Sequence, residues 1–236
     1  MDRVISSYAT TVRSLALSRK RISALDAQKP GTTEVSRPLE ACLVSMKTTP
    51  RLNELPNTET EVQAIADLLP IPKTILAQPT KEKVLEALQR CSIVHFACHG
   101  EMHADPSLSR IFFEDWEENP FSVHDMAKLN LTWKARLTYI SACHAGTSSN
   151  AVLLDESVHM AGACQLAGFP AVVGSLWKVS DEYAPVVACG VYSRLTPDGT
   201  LDVRRTAQAL HFAVREVRSK NKDYPIIWAP FIYFGV

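Results

Sequence analysis

Arg-Leu-Thr-Tyr-Ile-Ser-Ala-Cys-His-Ala-Gly, residues 136–146, decides how this chain is read. Leu137 to Ile140 is a short apolar run, the pattern of a strand buried on both faces. It ends abruptly in small residues that leave Cys143 at the break. Ser-Ile-Val-His-Phe-Ala-Cys-His-Gly, residues 92–100, has the same grammar and ends in His99 and Gly100. Two buried strands, one delivering a histidine and one a cysteine, suggest a nucleophile and its base.

Working outward, the spacing predicts β-α-β-α-β. Leu39 to Met46 is a strand, and Glu59 to Leu69 a helix capped by Asn57 or Thr58. Thr74 to Ala77 is a second strand, and Thr80 caps a helix ending near Arg90, before the strand Ile93 to Ala97. That alternation is the mark of a parallel sheet. A short strand is expected within Ser109 to Glu114, and Glu114 to Glu118 as a solvated acidic turn. Ser122 caps a short helix through Lys128. After the 137–141 strand come a helix over Val158 to Leu166 and a strand over Ala171 to Trp177. A helix from Asp181 to Leu195 follows, then one starting at Thr200 or Asp202, and a final strand from Ile226 to Phe234. Residues 1–27 read as an N-terminal helix, either the end of an upstream helical array or a helix docking on the main domain. Residues 28–38 read as a linker and 39–236 as the compact α/β domain.

The totals fit a globular chain: 236 residues, 46% hydrophobic, 21% charged, formal net charge zero. A neutral balance gives no electrostatic reason to expect nucleic acid or an anionic membrane as partner. The six cysteines contain no C-x-x-C pair, and five sit in apolar surroundings, so a reduced, cytoplasmic protein is expected. No apolar signal segment is seen at the N-terminus, and no run reaches the roughly 18 apolar residues of a membrane span.

In an open parallel sheet, sites form beyond the carboxyl ends of the strands. His99 and Cys143 lie just past two such ends. Cysteine attacks as thiolate, and an adjacent histidine can protonate the leaving amine. Gly100 lets backbone approach a substrate closely, and its N–H with that of Cys143 forms a candidate oxyanion hole. Trp177, Asp181 and His144 sit at the same edge as candidate pocket residues. Asp181 either selects a basic side chain or simply stabilises a helix N-terminus. His95 reads as a half-buried strand residue. Asp155 and Glu156 either reach the site or begin a helix. Cys98, His99, His103, Cys143 and His144 are the right types for zinc, but Cys98 should point opposite to His99 on an extended strand. No metal and no cofactor is therefore assigned.

"HFACHG" followed by "YISACHAG" resembles the His-Gly and Ala-Cys-x-x-Gly signatures of the caspase, legumain and separase group of cysteine peptidases. More specifically, the chain resembles the CHAT domain, a caspase-like domain found with tetratricopeptide repeats. Leu55-Pro56 with Glu61 to Leu69, His95 to Gly100, Ser141 to Gly146, Ala167 to Glu182 and Trp228 to Gly235 carry the likeness. The resemblance implies a three-layer caspase-like sandwich with a mostly parallel sheet of about six strands. It also implies a Cys143–His99 dyad cleaving a protein substrate, and a helical-repeat or other activating partner. Where many members have Glu-Thr after the cysteine, this chain has His144-Ala145, which bears on substrate preference. The rival expectation is a catalytically silent scaffold of the same fold.

Overall fold

The computed structural model describes residues 4–27, 38–101, 103, 105–132, 134–144 and 157–236. The linker expected at 28–38 therefore falls almost wholly outside the described residues, as do Asp155 and Glu156. The principal strands are β1 (Ala41–Ser45), β2 (Lys73–Ala77), β3 (Ile93–Glu101), β6 (Leu137–His144), β7 (Ala171–Ser175) and β8 (Phe231–Phe234). They form one sheet in the order β2-β1-β3-β6-β7-β8. All neighbours are parallel except β8, which runs antiparallel to β7. The expected α/β sandwich with a mostly parallel sheet of about six strands is present. β4 (Arg110–Ile111) and β5 (Phe121–Ser122) form a small antiparallel flap on the end of β3.

Two cores explain why the strands read as continuous apolar runs. On one face Cys42, Val44, Val94, Phe96 and Cys98 pack under α3 (Lys81–Leu88), α4 (Val123–Ala127) and α5 (Ser157–Ala167). On the other, Leu43, Ile93, Ala97, Leu137 and Tyr139 pack under α2 (Thr58–Leu68), α6 (Ala184–Leu195) and α7 (Thr206–Lys220). Adjacent residues of β3 thus fall in opposite cores, as a two-residue strand period requires. Ser122 starts α4 with the predicted cap, its hydroxyl accepting from Asp125 N–H while Asp125 bonds back, a full capping box.

Three expectations are corrected. Pro225 opens a helical turn, α8 (Pro225–Trp228), so the last strand is only Phe231–Phe234; a proline at a first helical position is pre-set for that turn. The N-terminal helix, α1, occupies Val12–Ala27. Before it, Tyr8 lies along β8, its N–H donating to Tyr233 O at 2.9 Å while Gly235 N–H donates to Tyr8 O at 3.0 Å. α1 meets α5 through Arg21 Nη1 to Gln165 O, and Thr10, just ahead of the helix, donates from Oγ1 to Gln165 Oε1. Finally, α6 begins at Ala184, leaving Asp181 in the turn ahead of it. Among the described residues no helix is long and apolar enough to cross a membrane.

Candidate catalytic site

Because β3 and β6 are parallel neighbours, their carboxyl ends coincide. The register sets His99 opposite Cys143 and Gly100 opposite His144. Positions in register share a face of the sheet, here the one covered by α2, α6 and α7. The strand alternation places Cys98 in the other core, away from His99. Among the described residues no group of three or more His, Cys, Asp or Glu could hold a metal ion.

His99 is 6% exposed. Its Nε2 lies 2.8 Å from the carbonyl oxygen of Asn53. A carbonyl only accepts, so Nε2 carries a proton, and in the neutral ring Nδ1 is the acceptor. Nδ1 has no hydrogen-bond partner among the described residues. The backbone at His99 is held as well: Phe112 N–H donates to His99 O at 3.0 Å, and Gly100 pairs with Ile111 across the flap. A Cβ at Gly100 would meet Ala142 Cβ at 3.4 Å and Arg110 O at 3.5 Å, ordinary van der Waals contacts. One residue on, Glu101 pairs with Arg110 at 2.7 Å, and the Arg110 guanidinium lies over the Phe112 and Trp116 rings.

Trp177 is half-buried just past β7, whose start is in register with β6. Asp181 lies four residues further on. Its Oδ2 accepts from Asn57 Nδ2 at 2.8 Å and from Asn57 N–H at 3.3 Å, and its carbonyl accepts from the same Nδ2 at 3.2 Å. Asn57 is the N-cap residue of α2 but makes no side-chain cap bond to its own helix. His103 is exposed, its Nδ1 accepting from Asp105 N–H at 3.0 Å within its own loop.

His95 was expected half-buried and is instead fully buried. Its Nε2 sits 3.0 Å from Glu61 Oε1, with Glu61 also buried. The ring stacks on Tyr139 with centroids 5.0 Å apart and meets Tyr192 edge-on at 5.7 Å. Burial first, then the charge of Glu61, pushes the phenol groups of Tyr139 and Tyr192 up. Asn53 and Glu61 carry no motif that sequence reading would catch. The first contributes a backbone carbonyl, and the second sits at what looks like an ordinary acidic position in a first helical turn.

The remaining described cysteines are poorly placed for attack. Cys42, Cys91, Cys98 and Cys164 are buried and Cys189 is half-buried. Burial pushes the Cys164 thiol up to about 12 and raises that of Cys189. Cys42 is raised and Cys91 lowered by the hydrogen bond they share.

Human tetratricopeptide repeat protein 28 is 24% identical over an alignment covering 77% of this chain and 8% of that protein. The chain therefore spans a small fraction of that relative's length. Gingipain R, an Arg-specific cysteine proteinase, superposes with TM-score 0.57 at 16% identity, covering 94% of this chain and 51% of its own. Saccharomyces cerevisiae separase, in complex with securin, superposes with TM-score 0.56 at 16% identity, covering 93% of this chain and 13% of its own. At that identity these two caspase-like peptidases carry the fold alone. The CHAT domain signature matches residues 2–236, so the chain belongs to the CHAT domain family.

Proposed function

We propose that this chain is a cysteine endopeptidase in which Cys143 attacks a peptide carbonyl and His99 serves as general base and acid. The observation that carries the reading is the His99 ring. It is buried, tethered at Nε2 to the Asn53 carbonyl at 2.8 Å, unpartnered at Nδ1 among the described residues, and in register with Cys143. A ring fixed in that tautomer takes the thiol proton and returns it to the leaving amine. Sulfur bonds to the carbonyl carbon as the C=O π pair moves to oxygen, the tetrahedral oxyanion then collapses and breaks the C–N bond to expel the amine, and water hydrolyses the thioester. The N–H groups of Gly100 and Cys143 stabilise the oxyanion. Trp177 and Asp181 line the substrate pocket, with Asp181 receiving a basic side chain, whereas His144, in register with Gly100, takes the alternate strand position to Cys143 and drops out of that pocket. The Arg-specificity of gingipain R supports a basic preference on this fold. The repeat protein that this chain matches, and the securin bound to separase, support control by an upstream helical repeat or a partner.

The test is cleavage of an arginine-containing peptide library by the chain and its variants. Cys143→Ala abolishes turnover, and His99→Ala lowers it by roughly a hundred- to ten-thousand-fold. A peptidyl acyloxymethyl ketone labels Cys143 in preference to the other five cysteines. Turnover unchanged in Cys143→Ala sinks the proposal.

A further inference from the structure

Asparagine at a helix N-cap ordinarily turns its side-chain oxygen back onto the N–H groups of the first turn. Asn57 holds that position on α2, with φ −86° and ψ −8°, and does not do so. Its amide is spent instead on a segment 124 residues away. Nδ2 donates to both the carboxylate and the carbonyl of Asp181, and the Asn57 N–H donates to the same carboxylate oxygen. One residue thereby fixes the rotamer and the backbone of Asp181 together. Both side-chain contacts fall on Oδ2, while Oδ1 has no hydrogen bond among the described residues. Asp181 is half-exposed, so Oδ1 keeps an acceptor available for an incoming cation.

The same short segment reaches the other half of the site. The Asn53 carbonyl orients His99, and a turn beyond Asn57, Glu61 pairs with His95 on the same strand. The lead into α2 therefore touches both the proposed base and the proposed pocket acid. We infer that Asn57 is a specificity-determining positioning residue, holding Asp181 by one oxygen so that the other receives the basic side chain of the substrate. This rests on the proposed pocket role of Asp181, but its test needs no turnover. The competing role is purely structural, with Asp181 serving as an acceptor for the N-terminus of α2.

The experiment uses the full chain carrying Cys143→Ala and two fluorescent peptides that differ only in arginine or norleucine at one position. Binding is read by anisotropy. The parent binds the arginine peptide more tightly. Asp181→Ala and Asn57→Ala each cut that preference by roughly tenfold, the scale of one charge-assisted hydrogen bond, and the double variant cuts it no further. Asn57→Ser keeps a capping hydroxyl for α2 but loses both Nδ2 contacts to Asp181, leaving only the backbone N–H at 3.3 Å, so the preference falls as in Asn57→Ala at little change in melting temperature. A preference retained in Asn57→Ser, equal weakening of both peptides, or no arginine preference in the parent overturns the inference. Preference lost in both single variants, while the native chain cleaves neither peptide, refutes the peptidase reading and leaves the role of Asn57 standing.

Discussion

The buried pair Glu61–His95 gives the sharpest stability prediction. Glu61 is 2% exposed and His95 is 0% exposed, with 3.0 Å between Oε1 and Nε2. His95 Nδ1 already lacks a hydrogen-bond partner among the described residues. Glu61→Leu would therefore leave both ring nitrogens unpaired in a dry site. Leaving a buried donor unsatisfied costs about 1–3 kcal/mol. At about 2–4 °C per kcal/mol for a chain of this size, the melting temperature falls by roughly 2–12 °C. Adding His95→Phe removes the stranded nitrogens and keeps a ring against Tyr139 and Tyr192. The double variant Glu61→Leu/His95→Phe should thus recover most of the loss and end within about 1.5 kcal/mol of the parent. Urea denaturation of the parent, both singles and the double measures this as a shift of midpoint at constant slope. The reasoning is refuted if Glu61→Leu costs less than about 1 kcal/mol, or if the double variant loses the sum of the two singles.

Two further outcomes follow from local chemistry. The Cys164 thiol is raised from an ordinary 9.0 to about 12, chiefly by burial; since the unfolded thiol ionises first, stability is intact below pH 9 and falls towards pH 12 by up to about 4 kcal/mol. Urea midpoints of Cys164→Ala should show a shallower alkaline decline than the parent over that window, whatever its offset at neutral pH, and equal slopes would refute the assignment. Ser122→Ala removes the capping box of α4 and should cost about 1 kcal/mol in the same assay, with Ser122→Thr restoring most of it.

Much of the fold is legible because its signals are local. The inner strands β1, β3, β6 and β7 are apolar runs bounded by caps and turns, and a parallel sheet buried on both faces produces such runs. Their ends then locate His99 and Cys143, and the adjacency of β3 and β6 brings the two positions into register. The misread pieces depend on partners distant in sequence. Tyr8 looks helical in its own neighbourhood, yet β8 offers it an open edge and the backbone pairs there instead. Asn57 looks like a cap until Asp181, far along the chain, takes its amide. His95 looks half-buried because nothing near it in sequence announces Glu61.

The acidic turn between the two flap strands shows how far that principle reaches. Glu114 to Glu118 carries the composition of a solvated loop, yet it braces the segment that orients His99. Trp116 Nε1–H donates to Pro50 O at 3.1 Å, and Glu117 meets Arg51 at 2.9 Å. Asp115 accepts from Lys81 N–H at 2.8 Å, serving the helix start where Thr80 makes no side-chain cap bond. Arg51 itself sits at φ +63°, a left-handed conformation that costs a residue with a Cβ roughly 1–2 kcal/mol. The Thr49–Leu52 turn closes around it, with Leu52 N–H on Thr49 O at 3.0 Å. A strained turn persists only where its surroundings over-determine it, and here Trp116 and Glu117 supply that constraint from one side. The candidate positions His99 and Cys143 lie at strand ends, where the sequence announces them. The orientation of the His99 ring comes from the Asn53 carbonyl, a backbone contact that no residue type encodes.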